Sequence, residues 1–342
     1  MNVRQFLQDH YKSLIMVPFL AMNGTLALME TLQRFYYFDK EKNVGVVSEL
    51  FLGPIRSAKM IPLDSWNILV SGPKHNKRIA VYQLYPEITK LSSNVEPGCK
   101  LSAINCQFAS GNDDELCLSL DGHPDLLISF QEVELSGERI FGIRFKDTPN
   151  DSKEYQKLGD EADNWISNVL GIPATMLYVP ETKLSGEVNY PIYGSSPDKR
   201  PAPVPPVHIT SITTLEEMNK KSGAKVEMAR LRPNLVVKGN IPGAEGFWKV
   251  IKIGDQLELE QTFMNPRCGV VNALDGKLNP KVYDTIYKQG PYRDMRNRPC
   301  FGSYWKVLRP GVVHVGDKIM LLKSLESNIT GPYSLTDQFV VG

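Results

Sequence analysis

The chain has 342 residues, enough for two domains, and its 42% hydrophobic and 23% charged content is that of a folded protein rather than a disordered one. A formal net charge of +1 excludes a global attraction to nucleic acid or to an acidic surface, so any anion site has to be built locally. Five cysteines (Cys99, Cys106, Cys117, Cys268, Cys300) without a CxxC pair argue against a disulfide framework and for a reducing compartment. Isolated histidines (His10, His75, His123, His208, His314) argue against zinc, which takes about four clustered ligands.

Residues 13–29 carry no charge and lie between Lys12 and Glu30. A membrane span takes about 20 mostly apolar residues, so the run is near the lower limit, and Pro18, Asn23 and Gly24 interrupt it. The expectation is an N-terminal membrane anchor, with a buried or interfacial helix as the other reading. No small-residue cleavage site follows the run, which disfavours a cleaved signal.

After Asn43 short β-type runs alternate with turns. Strands are expected over residues 44–52, 78–84, 116–120, 126–130 and 139–145, with a turn at Asp121-Gly122. Together they suggest a small antiparallel sheet or barrel. One helix follows: Asp160 caps it, Gly171 ends it, and Ala162, Trp165, Ile166, Val169 and Leu170 fall on one face. The stretch 194–206 is too rich in proline for a helix or a central strand. Thr213 and Glu216 have capping-box spacing and open a short helix. Two later segments echo each other, 251–259 and 313–321, each with a Gly-Asp turn feeding a strand. Between them Asn279-Pro280 opens a helix that Gly290 stops. The expected division is 1–42 hydrophobic segment, 43–180 β-rich domain, 181–206 linker and 207–342 second β-rich domain.

Several residues could carry chemistry. Cys268 follows a strand-like run and sits beside Arg267, whose charge favours the thiolate that binds soft metals; the other reading is a small apolar residue of a barrel. Arg232, in Arg230-Leu-Arg-Pro-Asn234, precedes an apolar strand, where a guanidinium either binds an anion or forms a structural ion pair. Arg56 and Ser57 lie in a turn after the first strand and suit a phosphate, or simply face solvent. Arg78 starts a strand as an anion ligand or an exposed edge residue. No GxGxxG, P-loop, HExxH or GxSxG pattern occurs, which disfavours Rossmann dehydrogenases, P-loop NTPases and α/β-hydrolases.

In order from Val44 to Leu322 these pieces resemble the MOSC family, and within it the mitochondrial amidoxime-reducing components. The matching elements are Gly53-Pro-Ile-Arg-Ser57, the helix of 159–170, the segment 209–219, Leu231-Arg-Pro-Asn234, Arg267-Cys268, and the stretch from Pro299-Cys-Phe-Gly-Ser-Tyr304 to Gly316-Asp317. The resemblance implies a mainly β fold with a few helices (α+β), a MOSC β-barrel domain plus a smaller β-rich N-terminal domain. It implies a molybdenum cofactor, with Cys268 as the catalytic protein sulfur on the metal. Arg56, Ser57, Arg78, Arg232, Asn234, Arg267 and Asn272 would hold the pterin and its phosphate. The implied activity is reduction of small N-hydroxylated compounds, with electrons from a cytochrome b5 and its reductase. Some members are anchored to the outer mitochondrial membrane with the folded part facing the cytosol. At the family level the resemblance also carries pyridoxal phosphate binding. The alternative is a non-catalytic carrier of the cofactor or of a persulfide on Cys268. The chain departs from the family pattern with Arg56 in place of lysine, with Pro203 and Val204 before the second domain, with Pro266, and in the loop Val271-Asn-Ala-Leu-Asp275.

Overall fold

The structure, a computed structural model, describes residues 42–86, 88–93, 95–109, 112–141, 154–179, 207–239, 241–294 and 297–324. The hydrophobic run 13–29, the proline-rich stretch with Pro203 and Val204, and residues 142–145 of one expected strand lie outside them. Among the described residues no helix is long and apolar enough to cross a membrane.

The first strand, β1 (Lys42–Leu52), buries Val44, Val47, Leu50 and Leu52. The chain then builds a smaller lobe. Strands β2 (Ile79–Gln83), β3 (Asn105–Ala109), β4 (Asn112–Ser119) and β5 (Leu126–Ser129) run into a short helix, α1 (Phe130–Ser136). The strand expected over 126–130 therefore ends one residue early. Ser129 accepts a hydrogen bond from Glu132 N at 3.1 Å, an N-cap that turns the chain into a helix. Next come β6 (Arg139–Phe141), β7 (Glu154–Lys157), α2 (Asp160–Leu170) and β8 (Ala174–Tyr178). One antiparallel sheet runs β6-β7-β8-β2 and ends on the short strand Thr89–Lys90, and β3-β4-β5 form a second.

Helix α2 buries Ala162, Trp165, Ile166, Val169 and Leu170, the face that the spacing predicts. Its cap differs from the expectation. Gly159, at φ 102°, is the N-cap, while Asp160 stands in the first turn with Glu161 and Asp163, where carboxylates oppose the positive end of the helix dipole. Asp163 also accepts from Met176 N at 3.0 Å, and Ser167 Oγ accepts from Ala174 N at 3.0 Å, so polar side chains stitch the helix to β8.

The barrel strands that follow are β9 (Val207–Ser211), β10 (Leu235–Gly239), β11 (Trp248–Ile253), β12 (Leu257–Pro266), β13 (Pro299–Arg309) and β14 (Lys318–Ser324). With β1 they close a barrel in the order β9-β10-β1-β14-β11-β12-β13 and back to β9. Strand β1, expected with the smaller domain, is thus a barrel strand: it pairs antiparallel with β10, from Gly45 opposite Gly239 to Leu50 opposite Leu235. The barrel interior holds Val47, Leu50, Leu235, Val237, Ile251 and Trp305. Alternation along β10 turns Val236 the other way, onto an outer layer of α3 (Ile212–Ser222), α4 (Met228–Leu231) and α5 (Lys281–Gln289).

The two echoed Gly-Asp turns lie side by side, because β11 and β14 pair antiparallel with Ile253 opposite Ile319. Gly254, at φ 57°, approaches Asp317 so closely that a Cβ there would sit 2.8 Å from its carboxylate. Helix α3 opens at Ser211, whose Oγ accepts from Thr214 N at 3.2 Å. Thr213, the expected cap, instead donates to Gly239 O at 2.8 Å. Helix α5 starts after Pro280, with Asn279 accepting from Lys281 N at 3.2 Å, and stops at Gly290 as the sequence predicts.

Candidate functional site

Four segments meet at one end of the barrel. They are the turn after β1 (residues 53–58), the loop before β2 (74–78), the junction of α4 with β10 (232–234) and the end of β12 (265–268). Backbone bonds lock the first two together. Lys77 N donates to Gly53 O at 2.8 Å, Arg56 N to Ile79 O at 2.9 Å, and Ile79 N to Pro54 O at 3.0 Å. Asn234 ties the barrel strands: its amide oxygen accepts from His208 N at 3.1 Å and its amide nitrogen donates to Phe51 O at 3.3 Å. Four non-glycine residues here have left-handed backbones: Ser57 (φ 72°), His75 (63°), Lys77 (55°) and Arg232 (50°). Such strain costs of order 1–3 kcal/mol per residue and gathers where geometry serves a site rather than stability.

The charges are lopsided. Arg232 donates to the Ala58 carbonyl and Arg267 to Leu231 O at 2.9 Å, so both guanidiniums bond backbone oxygens here. The Arg267 Nε is buried without a hydrogen-bond partner. Burial lowers the pKa of both guanidiniums to about 10. Lys77 lies 5.8 Å from the centre of the Tyr304 ring. Burial first, and then the positive charges of Arg56, Arg232 and Arg267, lower its ammonium to about 7. His208 is held well below its ordinary value by burial and by Arg267 and Lys77. Its Nδ1 faces Arg232 O at 3.1 Å and its Nε2 lies 2.9 Å from the Asn265 amide. With its oxygen turned inward, that amide also accepts from Arg267 Nη1 at 2.8 Å. Gly302 lets the chain pass this close: a Cβ there would lie 2.9 Å from His208 Nε2.

Cys268 leaves the end of β12 as an exposed thiol, preceding a short 3-10 turn (Gly269–Asn272). Cys99 and Cys300 are buried, and Cys106 and Cys117 are partly so. Among the described residues no three His, Cys, Asp or Glu side chains gather into a metal cage.

The structure therefore brings Arg56, Arg232 and Arg267 into one electrostatic cluster, with Cys268 next to Arg267. Ser57 is partly exposed in the same turn as Arg56. Arg78 is buried at the start of β2, at 2% exposure, and its carbonyl accepts from Val179 N at 2.9 Å. Asn234 acts as a strut between strands. Asn272 faces away from this chemistry: its side-chain oxygen accepts from Tyr283 N at 2.9 Å, in the first turn of α5. The sequence reading missed Lys77, His208, Asn265 and Tyr304. Lys77 left a trace, as one of two consecutive basic residues before a strand that is buried nearly throughout.

Residues 200–320 match the family model described as MOSC domain, and the chain carries that domain. Over 302 residues the chain is 26% identical to mitochondrial amidoxime reducing component 2 of Bos taurus, covering 81% of this chain and 83% of that protein. It is 24% identical to mitochondrial amidoxime-reducing component 1 of Homo sapiens over 298 residues, covering 82% and 84%. Among solved structures, the YUAD protein of Bacillus subtilis is 12% identical, covers 82% of this chain and 97% of its own, and superposes with a TM-score of 0.38.

Proposed function

We propose that the chain is a molybdenum-cofactor oxidoreductase that reduces N-hydroxylated compounds, as the names of its amidoxime-reducing relatives suggest. The observation that carries the reading is the juxtaposition of an exposed thiol at Cys268 with a cluster of cations, Arg56, Lys77, Arg232 and Arg267. The donor set suits the group. A lone protein sulfur fits a metal whose other soft ligands arrive with an organic dithiolene, and uncompensated guanidiniums fit a phosphate on that organic part. The buried Arg267 Nε is a donor ready for an acceptor.

In this reading Cys268 is the protein ligand, next to Arg267. Arg56, Ser57 and Arg232 hold the phosphate and pterin, and Arg78, buried beside Lys77, shapes the wall behind them. Asn234 and Asn272 keep the surrounding segments in place. The bound group supplies two-electron chemistry at the metal, and the protein orients it and limits water. Electrons would come from a cytochrome b5 and its reductase, and a mitochondrial location would follow that of the relatives. The domain division that goes with this function is a barrel of β1 and 207–324, joined by the strands of 61–73, with the lobe of 79–178 inserted after them.

The test is metal and pterin analysis of the full chain from a host that makes the cofactor. Molybdenum and pterin are expected in the wild type. Cys268→Ala is expected to lose molybdenum while its circular dichroism stays unchanged. Full molybdenum occupancy in Cys268→Ala would overturn the ligand assignment.

A further inference from the structure

Lys77 is the member of the cluster that differs in kind. Guanidiniums held at about 10 stay charged across the physiological range. An ammonium does not have to, and Lys77 is the cation on which burial and repulsion converge. Its position is fixed by geometry: a left-handed backbone at φ 55°, a backbone bond from its N–H to Gly53 O, and a side chain laid over the Tyr304 ring. The groups facing it are Arg56 from the turn after β1, Arg232 from the α4–β10 junction and Arg267 from the end of β12. His208 on β9 and the ring of Tyr304 on β13 complete the surroundings. The charges acting on Lys77 are all positive. An entering dianion would reverse the sign of the local potential, and the ammonium form would then be favoured.

We propose that Lys77 is a further anion-binding residue of this site, and that a phosphate-like oxyanion enters together with a proton taken up on Lys77 Nζ. The proton comes from solvent and forms an N–H bond on Nζ, and no other bond is made or broken. The proposal rests on reading the cluster as the anion-holding half of the cofactor site. The sign of the linkage is fixed. Empty, Lys77 releases its proton near 7; occupied, it moves back toward its ordinary 10.5. Uptake is therefore largest between these values and fades below the lower one, where Lys77 is already charged.

Sodium sulfate is the probe, because sulfate does not titrate between about pH 6 and 9, so any proton exchanged belongs to the protein. Calorimetry of the full, cofactor-free chain in two buffers of different ionisation enthalpy reads that exchange. Close to one proton is expected per sulfate at about pH 8, falling toward zero near pH 6. Lys77→Met should bind sulfate about tenfold or more weakly, the scale of one lost charge-assisted hydrogen bond, and without the proton. Lys77→Arg should bind sulfate well and also without the proton, which separates the charge from any failure to fold. Unchanged uptake in both variants, no uptake in the wild type, or no sulfate binding would each overturn the proposal. Competition distinguishes the sources of the anion. If cofactor-loaded protein excludes sulfate, the cofactor phosphate occupies the Lys77 site. If a wild-type chain holds no molybdenum yet takes up sulfate with a proton, the cofactor reading falls and this one stands, with a free oxyanion as the ligand.

Discussion

The smaller lobe and the barrel end bury their side chains to opposite purposes. In the lobe the interior cluster is apolar, with Leu101, Leu116, Phe130, Ile166 and Met176 among its members. Burial there raises thiols, Cys99 to about 11 and Cys106 to about 12, and so keeps them in the unreactive form. At the barrel end the displaced groups are cations, with an imidazole among them, pushed toward neutrality by desolvation and mutual repulsion. The lobe gains stability from burial, whereas the barrel end gives up stability to hold charge in place. Such opposed environments within one compact unit mark where chemistry is to be expected.

The largest effect should come from breaking the lobe. Ile166 is fully buried on α2, and Ile166→Ala removes most of a side chain from a packed interior. A loss of about 2–5 kcal/mol is expected, read by urea denaturation. The folded fraction should still bind sulfate at the barrel end. A loss below about 1 kcal/mol, or sulfate binding that fails in step with Ile166→Ala, would erase the contrast between the two regions.

A second, smaller effect lies in the barrel and depends on pH. Glu245 is 1% exposed, and Thr214 Oγ lies 2.8 and 3.0 Å from its two carboxylate oxygens. Burial outweighs that bond and raises the carboxyl from 4.5 to about 7. The folded state therefore prefers the protonated acid. The corresponding stability is fully present below about 4.5 and is lost as pH rises through about 7. Glu245→Gln cannot ionise, so its stability relative to the wild type should rise by up to ~3 kcal/mol between pH 4 and 8. Parallel pH profiles of the two proteins would contradict the burial of this charge.

The legible parts of the molecule were those carried by local pattern. The face of α2 follows from spacing alone, and Asn279-Pro280 and Gly290 mark α5 because their cap chemistry is local. The Arg-Cys step at 267–268 and the arginines at 56 and 232 could be singled out because chain order carries them. The placement of β1 in the barrel was not legible, since strand pairing across nearly two hundred residues leaves no local mark; Gly45 and Gly239 become partners only in three dimensions. Lys77 was hidden for the same reason. Its unusual chemistry comes from Arg56, Arg232 and Arg267, which reach it from three other segments. Asn234 and Asn272 read as polar residues in the right places, yet their amides serve the backbone: one joins strands and the other meets the first turn of α5.

The smallest effect concerns how the barrel hands its chain to the outer helices. Thr213 has the spacing of a helix cap, but the hydroxyl that accepts from the first turn of α3 belongs to Ser211, at 3.2 Å from Thr214 N. Thr213 donates instead to Gly239 O, at the far end of β10. The same hydroxyl type therefore does different work two residues apart. Ser211→Ala should cost about 1 kcal/mol by orphaning a backbone N–H at a helix start that is 1% exposed. Ser211→Asp, which keeps an acceptor, should recover part of it only if the tight packing admits the larger group. Ser211→Gly should cost less than Ser211→Ala, because glycine tolerates the cap position through its backbone. If urea denaturation ranks alanine and glycine equally, the cap bond contributes nothing measurable, and α3 is held to the barrel by Leu215 and Met218 and by the Thr213 bond to Gly239.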